Sequence, residues 1–127
     1  MRYVVIGASA AGIQAAGRLR DLDPESDITV VSRDTRVYSR CMLHLKLAGK
    51  RDDTTLSFVD EGFFTDKGIT WLSGETVTGI LLDDKAIQLE SGATVPYDKL
   101  LIATGASSFI PPVPHLRGAK NVLALRN

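Results

Sequence analysis

The chain has 127 residues, 44% of them hydrophobic, enough for one domain with its own core and too few for a second full one. Its 15 Lys and Arg balance 15 Asp and Glu, with no long run of either sign, which argues against a nucleic-acid or an anionic-membrane partner. One cysteine can form neither an internal disulfide nor a zinc cluster, and it fits a reducing compartment.

The opening apolar run ends at Gly7, too early for a signal sequence, and no later stretch approaches the roughly 20 apolar residues of a membrane span. The expectation is a soluble, cytoplasmic protein. Residues 2–6 are a short run rich in β-branched residues, with Val4, Val5 and Ile6 ending at Gly7, the pattern of a strand buried on both faces of a parallel sheet. Over residues 10–22, Ile13, Ala16, Leu19 and Leu22 share one helical face, and Asp23-Pro24 stops the helix. A second β-branched strand at 28–31 completes a βαβ unit.

Two further helices are predicted, over 39–48 closed by Gly49 and over 59–66 closed by Gly68. A strand at 69–72 follows, and then 76–82, 86–89 and 94–95 read as a small antiparallel meander punctuated by Asp83-Asp84 and Ser91-Gly92. Residues 99–103 form another continuous apolar strand of the buried parallel kind, after which Pro111, Pro112 and Pro114 stiffen the chain. The fold class is therefore α/β, a Rossmann-like parallel sheet with flanking helices and a β-meander. Phe58, Phe63, Phe64 and Trp71 are assigned to core packing in preference to cofactor stacking.

The strongest motif is Gly7-Ala8-Ser9-Ala10-Ala11-Gly12 between the first strand and helix. Gly7 permits the sharp turn, the small residues through Ser9 and Ala11 let a pyrophosphate approach the backbone, and Gly12 allows close helix–sheet packing. Ser9 stands where a glycine is usual. Free amides at the helix start and the helix dipole would hold a diphosphate without a lysine. The second strand ends Ser32-Arg33-Asp34, with Ser32 where a ribose-binding carboxylate is usual. Asp34 is a candidate for the ribose, and Arg33 for the adenine or a phosphate; the alternative is that both are solvated loop charges.

These residues resemble the pyridine nucleotide-disulfide oxidoreductase family, near its NADH oxidase, coenzyme A disulfide reductase, rubredoxin reductase and nitrite reductase branches. The resemblance rests on the glycine motif, on Tyr38-Ser39-Arg40-Cys41 through Ala48-Gly49, and on Tyr97-Asp98 followed by the strand ending Ala103-Thr104-Gly105. It implies FAD binding over residues 1–110 and a linker over 111–127 leading toward an NAD(P)H-binding domain absent from this chain. The intact protein would pass electrons from NAD(P)H through FAD to a small disulfide, oxygen or a redox protein, and the chain alone would be inactive. A homodimer of the intact protein is left open.

By the same resemblance, Ala103, Thr104 and Gly105 lie near the FAD diphosphate, Ser39 and Arg40 line the flavin and pyrophosphate side, and the Val77 backbone meets the adenine. Cys41 falls at a redox-active cysteine of the NADH oxidase pattern, although Met42 replaces the glycine that follows it there. A thiolate at a helix start beside Arg40 would be stabilised; the competing reading is a buried structural thiol. His44 and His115 are assigned no catalytic role. Two other functions remain open from the residues alone, a single-domain NAD(P)-dependent dehydrogenase and a non-catalytic nucleotide-sensing module.

Overall fold

A computed structural model describes residues 1–123. The β-branched run at the start forms β1 (Arg2–Ile6), and the helix after the glycine loop is α1 (Ala10–Leu22). The strand β2 (Asp27–Ser32) returns parallel to β1, completing the expected βαβ unit. After a 3-10 turn at Arg40–Met42 come the short helices α2 (Leu43–Leu47) and α3 (Phe63–Asp66). The strands β3 (Thr70–Ser73), β4 (Val77–Leu81), β5 (Ala86–Leu89), β6 (Thr94–Pro96) and β7 (Lys99–Ile102) follow.

Two sheets result. The parallel sheet has the order β3-β2-β1-β7, and the antiparallel one the order β4-β5-β6. The alternation of side chains along a strand divides β1 between two cores. Val5 faces α1 and packs with Ile13, Ala16, Ile28, Val30 and Ile69. Val4 and Ile6 face the meander and pack with Val31, Ile87, Leu89 and Tyr97. The central strand is thus covered on both faces, which is why it reads as an unbroken apolar run. Burying one such valine stabilises the fold by about 1.5–3 kcal/mol.

Polar side chains tie these layers at their edges. The Arg20 guanidinium donates to the carbonyls of Pro24, Ser26, Lys67 and Gly68 at 2.6–2.9 Å, clamping the end of α1 to the loop before β3. At the other side Asp98 accepts from the Arg2 backbone N–H at 2.7 Å and its guanidinium at 2.9 Å, which fixes where β7 starts against β1. This pairing holds the Asp98 carboxyl down to about 2.

Several expectations need correction. The helix expected over 39–48 is a 3-10 turn followed by the five-residue α2, because the backbone at Met42 (φ −103°, ψ 6°) departs from helical geometry between them. The helix over 59–66 shrinks to α3, because the Ser57 hydroxyl bonds the Val59 carbonyl and the Phe63 N–H bonds the Asp60 carbonyl, so the chain turns before the helix begins. Leu22 is exposed at the end of α1, and Phe58 is exposed rather than in the core. The other three aromatics do pack, Phe63 edge-on to Phe64 and Phe64 stacked on Trp71 at 4.4 Å. The strand at 99–103 is parallel as expected but lies at the sheet edge, leaving Leu101 and Ile102 exposed, 40% and 59%. Among the described residues no helix is long and apolar enough to cross a membrane.

Candidate functional site

In the parallel sheet β1 has β2 on one side and β7 on the other, so the chain reverses direction of travel across the sheet at β1. A crevice opens beyond the carboxyl ends of strands at such a point. Here it is a cleft of about 380 Å³ reached by Ile6, Val31, Ser32 and Ala103 from the three strand ends. Two backbone bonds extend the ladders past the strands, Gly7 N–H to Val31 O and Ala103 N–H to Ile6 O, both 2.8 Å. They draw the glycine loop and the Ala103-Thr104-Gly105 segment together.

Gly7 and Gly12 are required by close approach. Gly7 has a φ of +115°, and a Cβ there would lie 2.3 Å from the Ala103 carbonyl oxygen. A Cβ on Gly12 would lie 1.8 Å from the Gly7 carbonyl oxygen. The loop is therefore pressed onto the start of α1, whose first-turn amides have no partner within the helix. Ser9 is the N-cap but makes no side-chain cap bond, and it lines the cleft.

The opposite wall is made of side chains. Arg40 and Asp34 form an ion pair there, with side chains only 19% and 25% exposed. The Arg40 guanidinium also sits over the Tyr38 ring, 4.9 Å from its centroid, and its Nε is buried with no hydrogen-bond partner. An orphaned donor on the cleft wall and a glycine cradle against a helix start both suit an anionic diphosphate ligand. Ser32, at the position where a carboxylate is usual, is buried. Its hydroxyl accepts from Trp71 Nε1 at 2.9 Å and donates to the Asp34 carbonyl at 2.8 Å.

Of the residues singled out from the sequence, Gly7, Ser9, Arg33, Asp34 and Arg40 line this one cleft. Val77, Ala103, Thr104 and Gly105 join them from β4 and the end of β7. Ala11 and Gly12 lie behind the loop, in the first turn of α1, and Ser39 is held by its N–H to the Leu56 carbonyl. Cys41 is exposed, which corrects the reading of a buried thiol. It lies in the 3-10 turn and not at the start of a long helix, and the charge of Arg40 is directed to Asp34. His44 Nδ1 lies 3.1 Å from the Cys41 carbonyl oxygen.

Glu75 and Thr76 were not foreseen, yet both line the cleft between the end of β3 and Val77. Their signal was available: they follow a strand that lies next to β2, and residues just past a parallel strand's carboxyl end face the crevice.

The pyridine nucleotide-disulphide oxidoreductase family matches residues 1–127. The chain is 34% identical over 114 residues to the epsilon subunit of NADH-dependent phenylglyoxylate dehydrogenase from Aromatoleum evansii, covering 89% of this chain and 27% of that protein. Among solved structures it resembles an NAD-dependent persulfide reductase from A. fulgidus, with a TM-score of 0.88 and 33% identity over 98% of this chain and 25% of that one. It also resembles the covalent putidaredoxin reductase–putidaredoxin complex, with a TM-score of 0.83 and 29% identity over 92% and 28% of the two chains. The chain thus spans between 25% and 28% of the length of these three proteins.

Proposed function

Since this chain belongs to the pyridine nucleotide-disulphide oxidoreductases, flavoproteins that bind FAD and NAD(P)H, we propose that residues 1–110 hold the ADP half of FAD in the cleft at the carboxyl ends of β1, β2 and β7. The observation that carries this reading is the double close approach at Gly7 and Gly12, which bares the α1 amides where a diphosphate would lie. Ser9 would line the diphosphate, with the first-turn amides of Ala11 and Gly12 directed at it from behind the loop and Thr104 and Gly105 on its other side. Arg40 would supply a cationic donor, and Val77 would border the adenine beside Arg33. Asp34 holds Arg40 in place, and Ser39 anchors the segment that carries it.

When bound, the flavin supplies the redox chemistry, and the chain's own contribution is orientation and electrostatics. The protein of which this segment forms part would take electrons from NAD(P)H and deliver them to a disulfide, oxygen or a redox protein. Residues 111–127 would lead to its NAD(P)H-binding domain; the last four of them lie outside the described residues. Cys41, exposed one residue beyond Arg40, is accessible for the thiol redox role that its position implies. A single exposed thiol fits a cytoplasmic setting.

Calorimetric titration of the 127-residue chain with FAD, NAD and NADP in parallel tests the reading. FAD bound in preference to both nicotinamide cofactors is expected. Binding of NAD or NADP with FAD silent would overturn it.

A further inference from the structure

We propose that Glu75, just past β3, is the carboxylate that receives the ribose hydroxyls of the adenosine in this cleft, the task that the end of β2 leaves undone. The inference rests on the FAD reading above and deepens it.

Three polar groups on this wall compete for the role. Ser32 is 5% exposed and its hydroxyl is already spent, accepting from Trp71 and donating to the Asp34 carbonyl. It carries no charge, and its one proton is already donated. Asp34 faces the cleft, but its carboxylate is committed to Arg40, and both side chains are largely buried. A neutral diol would have to share that carboxylate with a guanidinium whose positive charge already draws on its lone pairs.

Glu75 is in the opposite condition. Its backbone N–H bonds the Ser32 carbonyl at 3.0 Å, which fixes it immediately beside the end of β2. The next residue is fixed as well, since the Glu90 N–H bonds the Thr76 carbonyl at 2.8 Å. The half-buried side chain lines the cleft, and among the described residues its carboxylate accepts one long hydrogen bond, 3.3 Å from Ser91 Oγ. An ionised carboxylate has two acceptor oxygens and no donor, which matches the two O–H donors of a vicinal diol. The acidic group is therefore carried by the neighbouring strand, one position across the sheet, while β2 uses its last residue to hold Trp71.

The test titrates the 127-residue chain with FAD, NAD, ADP, 2′-deoxy-ADP and 3′-deoxy-ADP. Loss of either hydroxyl should weaken ADP binding about tenfold in the wild-type chain, the range of a hydrogen bond to a charged group. In Glu75→Ala, ADP itself should weaken by a similar factor and the deoxy penalties should largely vanish, with an unchanged thermal melting curve showing that the fold persists. In Asp34→Asn the deoxy penalties should remain. If FAD and ADP bind but the penalties persist in Glu75→Ala, or vanish in Asp34→Asn instead, the role of Glu75 is overturned and the FAD reading stands. If neither FAD nor ADP binds, or NAD is preferred over FAD, both fall together.

Discussion

At its α1 end the cleft is built from main chain, shaped by two glycines whose neighbours leave no room for a Cβ, whereas its β2–β3 end is built from the side chains of Asp34, Arg40 and Glu75. The main-chain end depends on residues within one turn of each other plus the adjoining strand end. The side-chain end depends on three segments, since Ser32, Arg40, and the Trp71 and Glu75 of β3 and its end come together only after the sheet and the 3-10 turn are in place. A backbone site tolerates almost no change at its glycines, while a side-chain site can move a function from one residue to another.

The harshest way to break that comparison is Gly12→Ala. The added methyl would press on the Gly7 carbonyl, backbone against which no rotamer can give way, so a loss of about 3 kcal/mol in urea denaturation is expected, together with loss of FAD binding. A variant as stable as wild type would show that the loop is not held as described. On the other wall, Arg40→Met should reduce FAD affinity by roughly 2 kcal/mol, as for loss of a charged hydrogen-bond donor, while leaving the chain folded. An undiminished affinity would place the diphosphate elsewhere.

Trp71→Phe keeps the ring stacked on Phe64 and removes only the bond to Ser32, so about 1 kcal/mol of stability should go. Adding Ser32→Ala to that variant should then cost little more, because the two share one interaction; full additivity would contradict the chain of bonds from Trp71 through Ser32 to Asp34.

The smallest effect concerns neither wall but the strand start that aligns β7. Asp98 is depressed to about 2, so its pairing with Arg2 stabilises the fold fully above the ordinary carboxylate range near 4 and is lost as pH falls toward 2. Acid titration of Asp98→Asn should therefore show a shallower loss of stability than wild type between about pH 4 and 2. Identical acid profiles would mean that other carboxylates dominate.

Much of this architecture is legible in the one-dimensional pattern. The runs at β1 and β2, the amphipathic stretch of α1 and the turn residues of the meander each carry a period or a breaker set by their own backbone, and all form where expected. The glycine motif was equally visible, because its geometry is a property of a few consecutive residues. The helices after β2 were not, because each is a single short turn whose length is decided by bonds such as Ser57 to Val59, local competitors that a hydrophobic period does not reveal.

The exposure of Leu101 and Ile102 was also hidden, since a run of apolar residues reports what a strand could bury and not whether it ends at an edge. Similarly, the pairing of Asp34 with Arg40 and the arrival of Glu75 beside Ser32 depend on the placing of β3 next to β2, which no spacing in the chain states. The sequence by itself determined the βαβ unit, the glycine loop and its suitability for a diphosphate, because those follow from steric demands and hydrogen-bonding needs of adjacent residues. Only the tertiary structure decided which carboxylate is free to meet the ligand, because charges far apart along the chain neutralise or spare one another only once the strands lie side by side.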